Sequence, residues 1–271
     1  MTNRRHTALR LFHIDAFTDI LFKGNPAGVC LLDHQDIPDE LKLNIAAELK
    51  HSETAFVLFQ KDEIGIRWFT PTTEVDLCGH ATLSAAHVLF EQKLVSPDDT
   101  IRFRSRSGEL RAKRVGDTIE LDFPLAKLRA CDAMPNLNKA LGVDPLFTGC
   151  SDELYFVEIP DPEKLRTLHP DMNALAAISP GEFIVTAPSN DPRFDFISRF
   201  FGPAVGIPED PVTGSAHCYL APYWSKKLNK TCLTGYQASE RGGTVICELS
   251  RPGRVKLRGK AVTVFSTDLK I

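Results

Sequence analysis

Apolar and polar positions alternate with a period of two in several short runs of the early chain: Leu9 to Phe17, Ala55 to Phe59, Ile64 to Phe69, Ile101 to Arg104 and Thr118 to Phe123. Such alternation puts every second side chain on one face of a sheet and predicts strands. A second set follows at Glu182 to Thr186, Phe194 to Phe200, Gly243 to Leu249 and Arg254 to Leu257. Two segments differ in character. His80 to Phe90 and Ser215 to Trp224 read as long apolar helices, each opened by a glycine, Gly79 and Gly214. Pro38 to Lys50 predicts a further helix with Pro38 in its first turn, where a missing N–H costs little. Pro222 falls inside the second long helix and is expected to kink it, because proline removes an i→i−4 hydrogen bond. The stretch from Ala126 to Asn138, carrying Pro135, has weaker periodicity and reads as the connection between two halves.

Those halves resemble each other. Gly79 and Gly214 stand 135 residues apart, and the pairs Ala81 and Ala216, and Gly108 and Gly243, keep the same offset. Upstream, Arg67-Trp68-Phe69-Thr70-Pro71 is echoed by Arg199-Phe200-Phe201-Gly202-Pro203 with a shift of three residues. Several matches at one offset and in one order imply a duplicated unit. A long apolar helix cannot bury its surface alone, so each is expected to lie against its own curled sheet. The expected fold class is α/β (α+β): two similar half-domains, each a curved, mostly antiparallel sheet around a central helix. The first is placed at 1–126, joined by a C-terminal strand at 262–271, and the second at 127–261.

Composition narrows the function classes. The 271 residues are 43% apolar and 25% charged, an ordinary globular balance that allows a sizeable core without metals or disulfides. Net charge is −3, and the densest basic group, Arg102 to Arg114, alternates with apolar positions as solvated strand faces do. Nucleic acid is therefore not expected as a partner. No apolar run approaches a membrane span. The basic start, Met1 to His6, leads into no uninterrupted apolar stretch and reads as a short tail. Seven cysteines with no CxxC pair fit reduced, mostly buried thiols, and hence a cytoplasmic location.

Candidate chemistry gathers at the two glycine-opened helices. Each follows an irregular loop bearing proline, and a helix start offers unpaired N–H groups and a positive dipole end. Glycine lets a ligand approach that backbone closely. Two such starts directed at one cleft would hold an anion such as a carboxylate; two ordinary packed helices are the plainer alternative. Glu53, in His51-Ser52-Glu53-Thr54-Ala55-Phe56, stands just before an apolar strand, where partial desolvation suits a carboxylate to proton transfer. An exposed loop glutamate is the competing reading. His80 follows Gly79 and is either structural or part of the site. Asp210 either caps its loop or orients a histidine. Ser215 has no adjacent base and no G-x-S-x-G elbow, which disfavours a serine nucleophile. No H-x-x-x-H or H-E-x-x-H spacing supports a metal, and no G-x-G-x-x-G or phosphate-loop lysine supports a nucleotide.

Four segments carry a family resemblance: Asp15-Ala16-Phe17-Thr18 with Lys23-Gly24-Asn25-Pro26-Ala27-Gly28-Val29; Ser52-Glu53-Thr54-Ala55-Phe56; Phe69-Thr70-Pro71 leading to Cys78-Gly79-His80-Ala81-Thr82; and Glu209-Asp210-Pro211-Val212-Thr213-Gly214-Ser215-Ala216-His217. Arg241-Gly242-Gly243 adds a weaker fifth. Together they resemble the phenazine-biosynthesis PhzF-like proteins, which share the diaminopimelate-epimerase fold. The resemblance implies a homodimer, no cofactor and a site between the half-domains; the helix starts point to a small carboxylate-bearing substrate there, and the missing ligand spacings to no metal. The resemblance places the acid–base glutamate at Glu53 and supporting groups at His80, Asp210 and Ser215; the two helix starts add expected substrate contacts at Gly79 and Gly214, and Asn25 is a further expected contact. The implied activity is isomerisation by proton relocation; the dihydro-hydroxyanthranilate reaction of the characterised phenazine enzyme is not carried over to this chain. Two alternatives stand beside it. One is a catalytically silent metabolite-binding or regulatory protein on the same fold. The other is a two-thiol racemase or epimerase, disfavoured because Thr213 occupies the place of the second cysteine opposite Cys78, and a threonine hydroxyl is no base at neutral pH.

Overall fold

The computed structural model describes residues 8–33, 35–60, 63–132 and 134–271; the basic tail expected at residues 1–6 lies outside them. The chain divides into two compact units, one comprising the chain up to Asp122 together with Gly259–Ile271, the other Phe123–Arg258.

In the first unit the order is β1 (Ala8–Ala16), β2 (Asn25–Asp33), α1 (Asp39–Leu49), β3 (Thr54–Gln60), β4 (Glu63–Phe69), β5 (Glu74–Val75), α2 (Gly79–Glu91), β6 (Thr100–Ser105), β7 (Gly108–Val115) and β8 (Thr118–Pro124). β1 and β2 are antiparallel, β2 and β3 parallel, β3 and β4 antiparallel, and β4 and β6 parallel; β6, β7 and β8 then form a meander, while β5 adds a short antiparallel rung to β4. α2 packs against β1, β2, β3 and β7. It is buried from His80 through Ala86 and again at Val88, Leu89 and Phe90, the all-round apolar character that a central helix needs. The opposite face of the sheet carries α1 over a core of Leu9, Leu11, Cys30, Leu32, Phe56 and Phe69. Pro38 is the N-cap of α1 and not a member of its first turn; Asp39 and Glu40 open that turn, where acids complement the dipole.

The second unit repeats the plan with β9 (Arg129–Ala130), α3 (Pro135–Leu141), β10 (Phe147–Cys150), β11 (Tyr155–Glu158), α4 (Pro162–Arg166), α5 (Met172–Ala176), β12 (Phe183–Pro188), β13 (Phe196–Gly202), β14 (Ile207–Asp210), α6 (Gly214–Leu228), β15 (Cys232–Gln237), β16 (Gly243–Arg251) and β17 (Arg254–Gly259). Parallel pairings recur at β11 with β12 and at β13 with β15, the places equivalent to β2 with β3 and β4 with β6. The last strand, β18 (Ala261–Lys270), returns to the first unit and pairs along the whole of β1; β9 does the same briefly for β10.

Several elements escape sequence periodicity. β2 is buried at seven of its first eight positions, all but Pro26, so both faces are apolar and no alternation remains to be read. α4 and α5 span five residues each, too few for a helical period. Their caps were the available signal: Asp161 accepts from the amides of Glu163 and Lys164, and Asp171 from that of Ala174. Pro222 does lie inside α6. The carbonyl it strips of a partner, that of Cys218, accepts from the Ala126 amide at 3.2 Å instead, so the predicted connection docks onto the interrupted turn.

Candidate active site

In the first unit the loop after α1 delivers Ser52 and Glu53 to the start of β3, and α2 begins beside them. The Glu53 side chain is 16% exposed, and its Oε2 lies 3.4 Å from His80 Nε2. Ser52 Oγ is also 3.4 Å from that nitrogen. On the other edge of the ring, His80 Nδ1 faces Cys78 Sγ at 3.4 Å. His80 itself is buried, and the Ser84 hydroxyl donates to its carbonyl at 2.9 Å. The imidazole thus bridges a carboxylate and a thiol with its two different nitrogens, and each partner's protonation sets the tautomer the other meets.

Glu53, Cys78 and His80 also offer three metal-donor atoms within 4.8 Å of one another. The two short contacts fall on different nitrogens of the ring, Glu53 at Nε2 and Cys78 at Nδ1. Gly79 opens α2, and the N-cap residue Cys78 makes no side-chain cap bond. Asn25 is buried at the first position of β2, paired with Ala16.

In the second unit, Asp210 is buried at the end of β14 and accepts from the Thr213 hydroxyl at 2.5 Å. Gln237 completes the cluster. Its Nε2 donates to the Asp210 carbonyl at 2.8 Å and to Thr213 Oγ1 at 3.1 Å, while its Oε1 accepts from the Thr213 amide at 2.9 Å. Thr213 is the N-cap of α6, but its hydroxyl is turned to Asp210 and gives no cap bond. Nearby, His217 Nδ1 bonds the Thr213 carbonyl at 2.8 Å. Ser215, on the first turn of α6, is exposed and has no side-chain partner among the described residues. Burial, with Glu153 and Asp210 nearby, raises the carboxyl pKa of Glu182 in this unit.

The structure therefore gathers Glu53 and His80 in one unit, and Asp210, Gly214 and Ser215 in the other. Sequence reading passed over Ser52 and Gln237. Both contribute polar contacts across more than 20 residues of chain, and neither stands in a spacing that signals chemistry.

The profile of the family described as "Phenazine biosynthesis-like protein" matches residues 14–267. The chain belongs to that family. A protein of Halalkalibacterium halodurans named an uncharacterized isomerase is 46% identical over 96% of this chain and 97% of its own length. The crystal structure of a PhzF-family phenazine biosynthesis protein from Enterococcus faecalis superposes with a TM-score of 0.93 at 38% identity, covering 98% of this chain and 100% of the other. A hydroxyproline epimerase from Agrobacterium vitis shares the fold alone, with a TM-score of 0.61 at 11% identity over 100% of this chain and 94% of the other. The chain is an isomerase of the PhzF family with an epimerase-like fold. No helix among its described residues is long and apolar enough to cross a membrane.

Proposed function

We propose that this isomerase works without a cofactor and that Glu53 is its acid–base, taking a proton from carbon in a small carboxylate-bearing substrate and returning it elsewhere. The observation that carries the reading is the contact between Glu53 and His80 at the opening of a buried helix. A side chain 16% exposed can still meet a substrate, yet it is shielded enough for its charge to matter. His80 holds the carboxylate in line, and Ser52 and Cys78 hold the ring of His80. The backbone N–H groups that follow Gly79 are not capped by the Cys78 side chain, and they are assigned to an anionic oxygen of the substrate. Asn25 is assigned to substrate binding in the first unit, and Asp210, Gly214 and Ser215 are assigned supporting and binding roles in the second. That assignment rests on the internal repeat and on the family resemblance.

Glu53→Gln keeps the shape and removes the base. Cyclic hydroxy acids and amino acids incubated with the enzyme in heavy water, followed by NMR, are expected to take up deuterium. The variant should lower that uptake by about 100-fold to 10,000-fold while melting as the parent does. Exchange at the parental rate in Glu53→Gln would remove Glu53 from the mechanism.

A further inference from the structure

Arg67 lies on β4, the strand that enters the loop before α2, and Glu74 lies on β5, which leaves it. The two form a fork-to-fork pair: Arg67 Nε donates to Glu74 Oε1 and Nη2 to Oε2, both at 2.7 Å. The guanidinium rests over the Phe69 ring, 5.1 Å from its centroid. On its far side it is held by Asp39 of α1 at 2.6 and 2.7 Å.

The second unit contains the same device. Arg199 on β13 pairs with Glu209 on β14, Nε to Oε1 at 2.7 Å and Nη2 to Oε2 at 2.8 Å. It rests over the Phe201 ring at 4.9 Å. Its remaining nitrogen is held by the carbonyls of Leu165 and Leu168, at the end of α4 and just beyond it, at 3.2 and 2.6 Å.

The spacing says what the pairs do. Arginine and glutamate are seven residues apart in the first unit and ten in the second. Yet Glu74 stands five residues before Gly79, and Glu209 five before Gly214. The loop tip has changed length and the distance from glutamate to helix start has not. An ion pair that served only to hold two strands together would tolerate a change on either side of it. A pair that sets where the helix begins tolerates change only on the arginine side. Bidentate pairing also fixes direction as well as distance, which a single point charge cannot do.

We infer that Arg67–Glu74 and Arg199–Glu209 are positioning pairs, each placing the start of its unit's central helix: Cys78, Gly79 and His80 in one, Asp210, Thr213 and Gly214 in the other. The inference rests on the reading of these helix starts as parts of the site. Neither arginine nor glutamate touches the reacting atoms; they act through the residues that follow. Ser107 Oγ, donating to the Asp76 carbonyl at 2.6 Å, reinforces the first clamp.

Two histidines report on the two starts without any substrate: His80 for α2, and His217, bonded to the Thr213 carbonyl, for α6. The full-length chain is labelled with nitrogen-15 histidine, and the ring signals are assigned by their loss in His80→Asn and His217→Gln. Glu74→Gln is expected to shift the His80 ring nitrogens by more than the line width and to leave those of His217 in place. Glu209→Gln is expected to do the reverse. Arg67→Lys and Arg199→Lys keep the charge, lose the fork and should give the same selective pattern, which covers a glutamine variant that fails to fold. Ring signals that stay in place in every variant, or that move together in each, overturn the proposal, since the second pattern is general destabilisation. The outcome is independent of Glu53→Gln. Unmoved histidines together with loss of deuterium uptake in that variant would reject the clamps and retain the base.

Discussion

Gly24, immediately before Asn25, illustrates how a single position is constrained by backbone and not by side-chain chemistry. Its φ is +66°, and a Cβ built there would lie 2.1 Å from the Ala16 carbonyl oxygen and 2.7 Å from Thr18 Cγ2. Neither the left-handed conformation nor the close carbonyl leaves room for a side chain. Gly24→Ala should destabilise the protein by about 1–3 kcal/mol, read as a lower midpoint in urea; an unchanged midpoint would show that the loop can move aside. Legibility at this scale was uneven. Glu53 and His80 stood out because each sits where a predicted strand or helix begins. The Cys78 thiol is buried and touches His80. Sequence distance hides that kind of contact, as it hides the reach of Ser52 across 28 residues to the same ring.

The two central helices are fastened by equivalent means. The Thr82 hydroxyl donates to the carbonyl of the N-cap residue Cys78 at 2.5 Å, and His217 bonds that of Thr213. Thr82 and His217 share the 135-residue offset that relates Gly79 to Gly214. His217 is wholly buried, and desolvation depresses its pKa to about 4. Between pH 6.5 and 4 the unfolded chain therefore takes up a proton that the native state refuses. Stability contributed by the neutral ring is complete above pH 6.5 and is lost as pH falls toward 4, at most on the order of 3 kcal/mol. His87 is displaced the same way, mainly by burial, so it adds to the slope. Urea unfolding measured from pH 7 to pH 4 should show stability declining on acidification, and His217→Gln should flatten that decline in part. An equally steep decline in the variant would mean that other groups account for it.

At the scale of the whole chain, the first unit is closed by its last segment. β18 pairs with β1 from Ala8↔Lys270 to Ala16↔Ala261 with one irregularity near His13, so removing residues 261–271 would expose one full edge of β1. An unpaired edge leaves backbone groups without partners and loses the packing beneath them. Amide hydrogen exchange in such a truncation should show protection lost along β1 while β12 and β13 in the second unit keep theirs; retained protection in β1 would show that β2 alone suffices to hold it. The amino-acid sequence by itself determined the duplication, the two glycine-opened helices and most alternating strands, because these are short-range periodicities carried by residues close together in the chain. It also determined the family, through motifs dense enough to be specific. Only the tertiary structure decided that β2 is a strand buried on both faces. Only it decided that Cys78 and Glu53 meet on one imidazole, and that the two arginines close on glutamates across loops of unequal length. Such contacts depend on where separate elements are brought by packing, and a chain read residue by residue carries no record of those distances.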